Sequence, residues 1–355
     1  MEAAARDWSK SDGHGDFQRT RPASHAGSWY LGNAARLSSQ LDEFMSRVPN
    51  KLDGRDLPIP GARVIIAPHA GYSYSGPCAA WAYKILDLAN VKRVFLLGPS
   101  HTFYLKGCAL STFGKYSTPF GDLVVDGKAV DELMEDQKFS PIPVEYDIRE
   151  HCLEMHLPYL WKRLEQTLGG DSSQFPPIVP VLVGDLSADG EKAVGSILAP
   201  YLADPKNAFI ISSDFCHWGK NYHYRPQLHK GLVRDQDAQW ASLKIQPGFK
   251  TKADGSEPRD AEVPIHEVIK ALDDLVMDSI KTGDHSDYYS ILKGTNNTVC
   301  GRHPIGVVLA ALEKMGGAQS GESKGKFQFV QYQRSNLVEK QSDFSVSYVS
   351  AYSIL

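Results

Sequence analysis

Several absences narrow the class of this chain. No run approaches the ~18 uninterrupted apolar residues of a membrane-spanning helix, so no membrane span is expected. No block of Lys and Arg stands out, and 38 basic against 42 acidic residues give a formal net charge of −4. That balance argues against nucleic acid as a partner. The cysteines Cys78, Cys108, Cys152, Cys216 and Cys300 are odd in number and contain no CxxC pair. A disulfide framework and a structural zinc knuckle are both disfavoured, and a reduced protein is expected, cytoplasmic or also nuclear. The first twenty residues lack the apolar core of a secretory signal, and residues 1–21 read as a disordered polar leader. No internal repeat or sharp composition shift marks a domain boundary.

What is present is enough for one sizeable core: 355 residues, 42% of them hydrophobic. Strand-like runs lie near 63–67, 93–97, 178–183 and 207–212. Helical patterns separate them over Ala34–Val48, Cys78–Leu88, Leu153–Leu168 and Glu191–Leu202. This alternation predicts a single α/β domain over residues 22–355, with a mainly parallel or mixed sheet flanked by helices. Phe327–Arg334 and Ser345–Ser353 alternate polar with apolar residues and read as a closing antiparallel pair at the sheet edge. Lys51–Gly61 and Pro247–Pro264 read as solvated surface loops, with 247–264 an insertion.

Four apolar runs end in, or just before, residues able to hold a metal. Val64–Ala67 leads to His69, Val94–Leu97 to His101, Phe209–Ile211 to Asp214, Cys216 and His217, and the short Thr298-Val299 to Cys300 and His303. Ligands of α/β sheets gather outside the carboxyl ends of the strands, so these residues are expected to share one site. His69 and His101 would sit at the ends of neighbouring strands ~4.8 Å apart, close enough to share a ligand. Each could instead merely cap its strand end. Asp214 and Cys216 face one way in an extended segment and His217 the other, whereas a helix start would bring Asp214 and His217 together. Asp214 could also be a helix N-cap, and Cys216 a small buried apolar residue. His217 suits general acid/base chemistry. Cys300, ahead of a helix begun near Pro304, is expected as a thiolate favoured by the helix dipole and Arg302, or else as an inert buried thiol. Arg302 can anchor a carboxylate or phosphate.

Glu150–Tyr159 superficially suggests a zinc-protease helix, but His151 and His156 are five apart and do not converge on a helix. His151 and Glu154, three apart, could share a face and support the site or contact substrate. His156 reads as structural or surface. His14, His223, His229, His266 and His285 read as surface residues. His25 lies in Ser24–Tyr30, an ordered aromatic-bearing turn expected near the site.

These segments together resemble the Memo family. The matching blocks are ASHAGSWY (23–30), IIAPHAGYSYSG (65–76), LLGPSH (96–101), EHCLEMHLPY (150–159), PVLVG (180–184), SSDFCHWG (212–219), TVCGRHPIG (298–306) and SVSY (345–348). That family is similar in fold to class III extradiol ring-cleaving dioxygenases, which hold non-haem iron through two His and a carboxylate. The resemblance implies His69 and His101 as metal-binding histidines, Cys300 where the dioxygenases supply the carboxylate, His217 as the acid/base histidine and Asp214 beside the metal. A thiolate in that place makes the site softer, moving the expectation from ring cleavage toward copper, including Cu(I), or iron in a redox role or metal handling. For animal members it also implies an adaptor that binds phosphotyrosine peptides and influences the cytoskeleton.

Three readings follow. The first is one copper or iron ion per chain on His69, His101 and Cys300, with an open position for dioxygen or a small ligand, proton movement by His217 and Asp214 beside it. The second is a non-catalytic module in which Trp29, Tyr30, Tyr72, Tyr74, Trp218 and Arg302 hold a phosphotyrosine-like ring, although Trp218 also suits simple core packing. The third and least favoured is a zinc hydrolase with Asp214 as base.

Overall fold

Apolar runs rich in β-branched residues form the central strands. The computed structural model describes residues 19–226, 263–316 and 325–355. Its strands are β1 (Thr20–Arg21), β2 (Lys51–Leu52), β3 (Arg55–Asp56), β4 (Ala62–Ala67), β5 (Arg93–Pro99), β6 (Cys108–Leu110) and β7 (Lys115–Thr118). They continue with β8 (Gly121–Val124), β9 (Phe139–Pro141), β10 (Ile178–Val183), β11 (Asn207–Ser212), β12 (Asp214–Trp218), β13 (Phe327–Arg334) and β14 (Ser345–Ile354). The helices are α1 (Ala34–Ser46), α2 (Tyr72–Ile85), α3 (Gly127–Met134), α4 (Val144–Arg149), α5 (Leu157–Leu168), α6 (Ala188–Ala203), α7 (Ile265–Thr282), α8 (His285–Thr295) and α9 (Arg302–Lys314).

The main sheet runs β12-β14-β4-β11-β5-β10-β6-β9, and β13 pairs with β14. β4, β11, β5 and β10 form its parallel core. Every residue of β4, β10 and β11 is buried, as expected where helices cover both faces of a parallel sheet. The outer strands β6, β12, β13 and β14 add antiparallel pairings, so the sheet is mixed. α2 packs on β4, β13 and β14, and α6 and α9 pack together against β5 and β11.

Several expectations need correction. β4 and β5 are not neighbours, because β11 lies between them and brings Ser212 up between their ends. Thr298-Val299 is not a strand, so Cys300 reaches the site on a turn just before α9. β14 is not an edge strand: its first half pairs with β12 and its second with β4, while β13 runs along its other side. Residues 51–61 hold the β2–β3 hairpin, and Ile59 is buried, so apolar content fastens this segment to the core. α2 begins at Tyr72, six residues before the expected Cys78. The helix expected from Leu153 begins as a single 3₁₀ turn over Glu154–His156. The leader reading falls outside the described residues for 1–18, as does most of the 247–264 reading. Thr20 and Arg21 do not belong to a leader, since they form β1 beside β7.

Arg21 is held there by buried charge. Its Nε donates to Asp147 Oδ1 at 2.9 Å, its Nη1 to Glu154 Oε2 at 2.6 Å and its Nη2 to the Glu150 carbonyl at 2.6 Å. Asp147 and Glu154 are themselves 2% and 0% exposed. Removing one partner of such a cluster leaves uncompensated buried charge. Arg21→Ala is therefore expected to lower unfolding stability by about 3–5 kcal/mol in a urea titration. A loss below ~1 kcal/mol, the range of surface pairs, would show that the carboxylates find other compensation.

Candidate metal centre

The ends of β4, β11 and β5 open onto one spot. Two residues past β4, His69 is nearly fully buried, with its N–H on Asp214 Oδ1 at 2.9 Å and its Nδ1 2.6 Å from Ser212 Oγ. Two residues past β5, His101 directs its N–H to Glu150 Oε2 at 2.7 Å and its Nδ1 to Glu150 Oε1 at 2.9 Å. With both Nδ1 atoms occupied, each ring keeps Nε2 for the site, an arrangement that fixes ligand orientation in metal proteins. Cys300 completes the group: its Sγ lies 3.1 Å from His69 Nε2, and one ligand atom from each of His69, His101 and Cys300 falls within 4.8 Å of the others.

Burial governs the protonation here. It is the largest influence lowering His69, with His101 and His151 adding to it, so this ring is a neutral imidazole fit to donate a lone pair. Burial also raises the Cys300 thiol well above its usual range, with the Asp214 charge adding to the rise. Backbone N–H groups, that of Asp214 among them, favour the anion but do not offset desolvation, so in the metal-free chain the buried-thiol alternative fits Cys300 better than the thiolate favoured by the helix dipole. The Asp214 N–H points at Cys300 Sγ at 3.1 Å, and the Cys300 N–H returns to the Asp214 carbonyl at 3.2 Å. Asp214 opens β12 rather than capping a helix, and burial raises its carboxyl.

A second cluster, His101, Glu150 and Cys152, is equally close-set. Its atoms are already committed. Glu150 also accepts the N–H groups of His151 and Cys152, and the buried Cys152 thiol donates to the Pro99 carbonyl at 3.0 Å. Burial would raise Glu150, but His101 and His151 more than offset it and bring it down to about 2. We therefore take His69, His101 and Cys300 as the open donor set.

The other expected residues divide. His151 stacks on His101 with centroids 4.5 Å apart and meets Trp29 at 4.4 Å, so both border the site. Glu154 does not share a helix face with His151. Its fully buried carboxylate accepts from Arg21, Ser24, Tyr30 OH and His25, positioning the 20–30 segment. Tyr72 is not a ligand contact, being 2% exposed with its OH on the Met155 carbonyl at 2.7 Å. Tyr30 is buried likewise, and Trp218 packs in a small cluster with Cys216, Leu272 and Val338. His217 donates its N–H to Thr298 Oγ1 at 2.7 Å and places Nδ1 2.8 Å from the Phe215 carbonyl. Arg302 lines a cleft of about 380 Å³ with His101, Cys300 and His303. His156 is structural, its Nδ1 2.7 Å from Tyr83 OH. His285 is not a surface residue but fully buried against Glu191, His223 is exposed, and His14 and His229 lie outside the described residues.

Glu150, Ser212 and Glu191 were not foreseen as parts of the site. The available sign was acidic residues set among apolar ones, as in EHCLEMHLPY, where a buried carboxylate must find donors.

A family model described as Memo-like protein matches residues 21–352. Protein MEMO1 of Xenopus laevis is 40% identical over 330 residues, covering 93% of this chain and 96% of the relative. Protein MEMO1 of Homo sapiens is 38% identical over 330 residues, with the same coverage of 93% and 96%. The MEMO1 family protein MHO1 of Saccharomyces cerevisiae is 38% identical over 346 residues, covering 94% of this chain and 98% of the relative.

The neutral rings make the fold sensitive to acid. Burial, helped by His101, lowers His151 from 6.5 to about 4. The unfolded chain therefore takes up that proton first, and folding stability falls as pH drops from 6.5 toward 4. Glu150, held at about 2 against an ordinary 4.5, extends the loss below pH 4.5. His151→Gln should flatten the upper part of a stability-against-pH curve from urea unfolding and, since the His151 charge helps to hold Glu150 down, also shrink the loss below pH 4.5. An unchanged slope between pH 6.5 and 4 would refute this account.

Proposed function

Because the chain belongs to the family of Memo-like proteins, we propose that it is a cytosolic metal-binding protein with a metal-dependent redox role. One observation carries this reading: His69, His101 and Cys300 come from three separate segments to within 4.8 Å of one another. Two imidazoles and a thiol form a soft donor set that suits copper, including Cu(I), or iron, with zinc a lesser fit. A bound copper or iron ion would supply one-electron chemistry beside the cleft.

The chain's own residues do the rest. Ser212 and Glu150 hold the two rings with Nε2 facing inward. Cys300 must release its proton to bind, and the Asp214 carbonyl 3.3 Å away accepts from its thiol beforehand. His217, held through Nδ1 by the Phe215 carbonyl, is the proton-exchanging group of this reading, and Asp214 sets the charge beside the donors. Arg302 anchors the charged end of a small ligand.

A second reading has one specific observation in its favour. Trp29 is 37% exposed on top of His151, and with Arg302 it offers an aromatic face and a cation to a phosphotyrosine-type peptide. With Tyr30, Tyr72 and Trp218 buried, this adaptor reading keeps fewer of its supports.

Metal analysis of the reduced protein separates the two. About one copper or iron ion per chain is expected, with affinity reduced at least ~10-fold in His69→Ala, His101→Ala and Cys300→Ser. A Cys300→Ser protein that keeps full copper and iron affinity would sink this ligand set. For the adaptor reading, calorimetry with a phosphotyrosine peptide should show binding weakened at least ~10-fold by Trp29→Ala and Arg302→Ala. Binding that ignores Arg302→Ala counts against it.

A further inference from the structure

The same cleft holds an imidazole backed by a buried carboxylate. Glu191, on α6, is 2% exposed. Its Oε1 is 2.6 Å from His303 Nδ1, and its Oε2 is 2.6 Å from His285 Nε2. An ionised carboxylate only accepts, so both rings donate to it. His285 is fully buried and its Nδ1 has no hydrogen-bond partner, so Glu191 is the one hydrogen-bond partner its ring has among the described residues. His303 lines the cleft with His101, Cys300 and Arg302. Its Nε2 is 3.4 Å from Asp185 Oδ1, longer than a good hydrogen bond, and the Asp185 side chain is 69% exposed. Gly306 makes this possible, since a Cβ there would stand 2.3 Å from Glu191 Oε2.

We propose that His303 is a proton-accepting residue of the cleft, held in its acceptor tautomer by Glu191, for small ligands that carry a weakly acidic O–H group. The ligand's O–H bond breaks and a new N–H bond forms at Nε2. The electron pair stays on oxygen as an oxyanion facing the Arg302 guanidinium, and Glu191 behind the ring offsets the new imidazolium charge. Nothing is oxidised or reduced. The titratable and charged groups around His303 are Glu191 from α6, with His285 from α8 on its other oxygen, and Asp185 after β10, while Arg302 and Cys300 from its own turn and His101 from beyond β5 line the same cleft. Glu191 and His285 are positioning residues. This rests on the cleft being a ligand site, but it does not require a metal ion.

The test uses the metal-free chain and 4-nitrophenol, whose phenolate is coloured. Binding to the wild type should raise the phenolate-to-phenol ratio of the probe about 10-fold, read as a fall of about one unit in the pH at which the bound probe is half ionised, as a nearby cation does. His303→Gln and Glu191→Gln should abolish that rise, and Asp185→Asn should keep it. Nitrogen NMR of the histidine rings should show the His303 proton on Nδ1 in the wild type and lose that signature in Glu191→Gln. A wild type that does not bind or ionise the probe, a rise that survives His303→Gln, or a neutral His303 with its proton on Nε2 each overturns the proposal. If Glu191→Gln fails to fold, His303→Gln on the partly exposed wall decides alone. Copper and iron binding measured on the same proteins separates this from the metal reading: a wild type that holds about one ion per chain but ionises no probe overturns this proposal only.

Discussion

The hydrogen bond between Glu150 and His101 is the constraint on which the candidate site depends. A carboxylate 2% exposed is tolerable only when its lone pairs are used, and Glu150 spends them on the His101 ring and on the N–H groups of His101, His151 and Cys152. The same four contacts turn the chain sharply after α4, hold the loop after β5 against it and settle which nitrogen of His101 is free. Stability and site geometry are thus one interaction seen from two sides. A charge too costly to bury alone has been used to aim a ring.

The neighbouring residues divide the work around that bond. His151 leaves the turn on the open side and stacks between His101 and Trp29. Cys152 turns inward under the Pro99 carbonyl. Glu154 reaches the opposite way, to Arg21, Ser24, His25 and Tyr30, and ties the start of the described chain to the same turn. His25 and Trp29, 5.6 Å apart, stand over the site because Glu154 holds their segment from one side and the buried Tyr30 ring anchors it in the core. Burial is offset for Glu154 chiefly by His25 and Arg21, which bring it down to about 2. Two carboxylates four residues apart in sequence fix both the floor and the rim.

Much of this was legible in the sequence where period and chemistry coincided. The four parallel strands and the places of His69 and His101 follow from apolar runs that end in residues able to hold a metal, the helices α1, α5 and α6 from the apolar patterns between those runs, and Cys300 was expected at the same spot, though from a strand. What was not legible depends on partners far along the chain. Nothing local places β11 between β4 and β5, because sheet order is set by crossovers and not by strand composition. Thr298-Val299 carries strand-forming residues, yet Thr298 spends its hydroxyl on His217 and the segment turns instead. Arg21 sits in a polar stretch that reads as leader, and its burial is explained only by carboxylates 126 and 133 residues later. His285 reads as surface for the same reason, since Glu191 lies 94 residues before it. Buried ion pairs are where local polarity misleads, because the cost of burial is met elsewhere in the chain.

The start of α9 shows how the two halves of the cleft are kept in register. Gly301 lets the turn press onto β11 and β12, where a Cβ would fall 2.3 Å from that of Ser213. Gly306, about one and a half turns on, lets α6 bring Glu191 against the same helix. Cys300 stands just before the first of these close approaches, and Arg302 and His303 lie between the two. A side chain at either glycine would push the helix start outward. Cys300 would then move from His69, or His303 from Glu191, and the two displacements need not be equal. The cleft wall is therefore set by backbone-level contacts at both ends of a short segment, and the thiol, guanidinium and imidazole it carries occupy fixed places relative to one another.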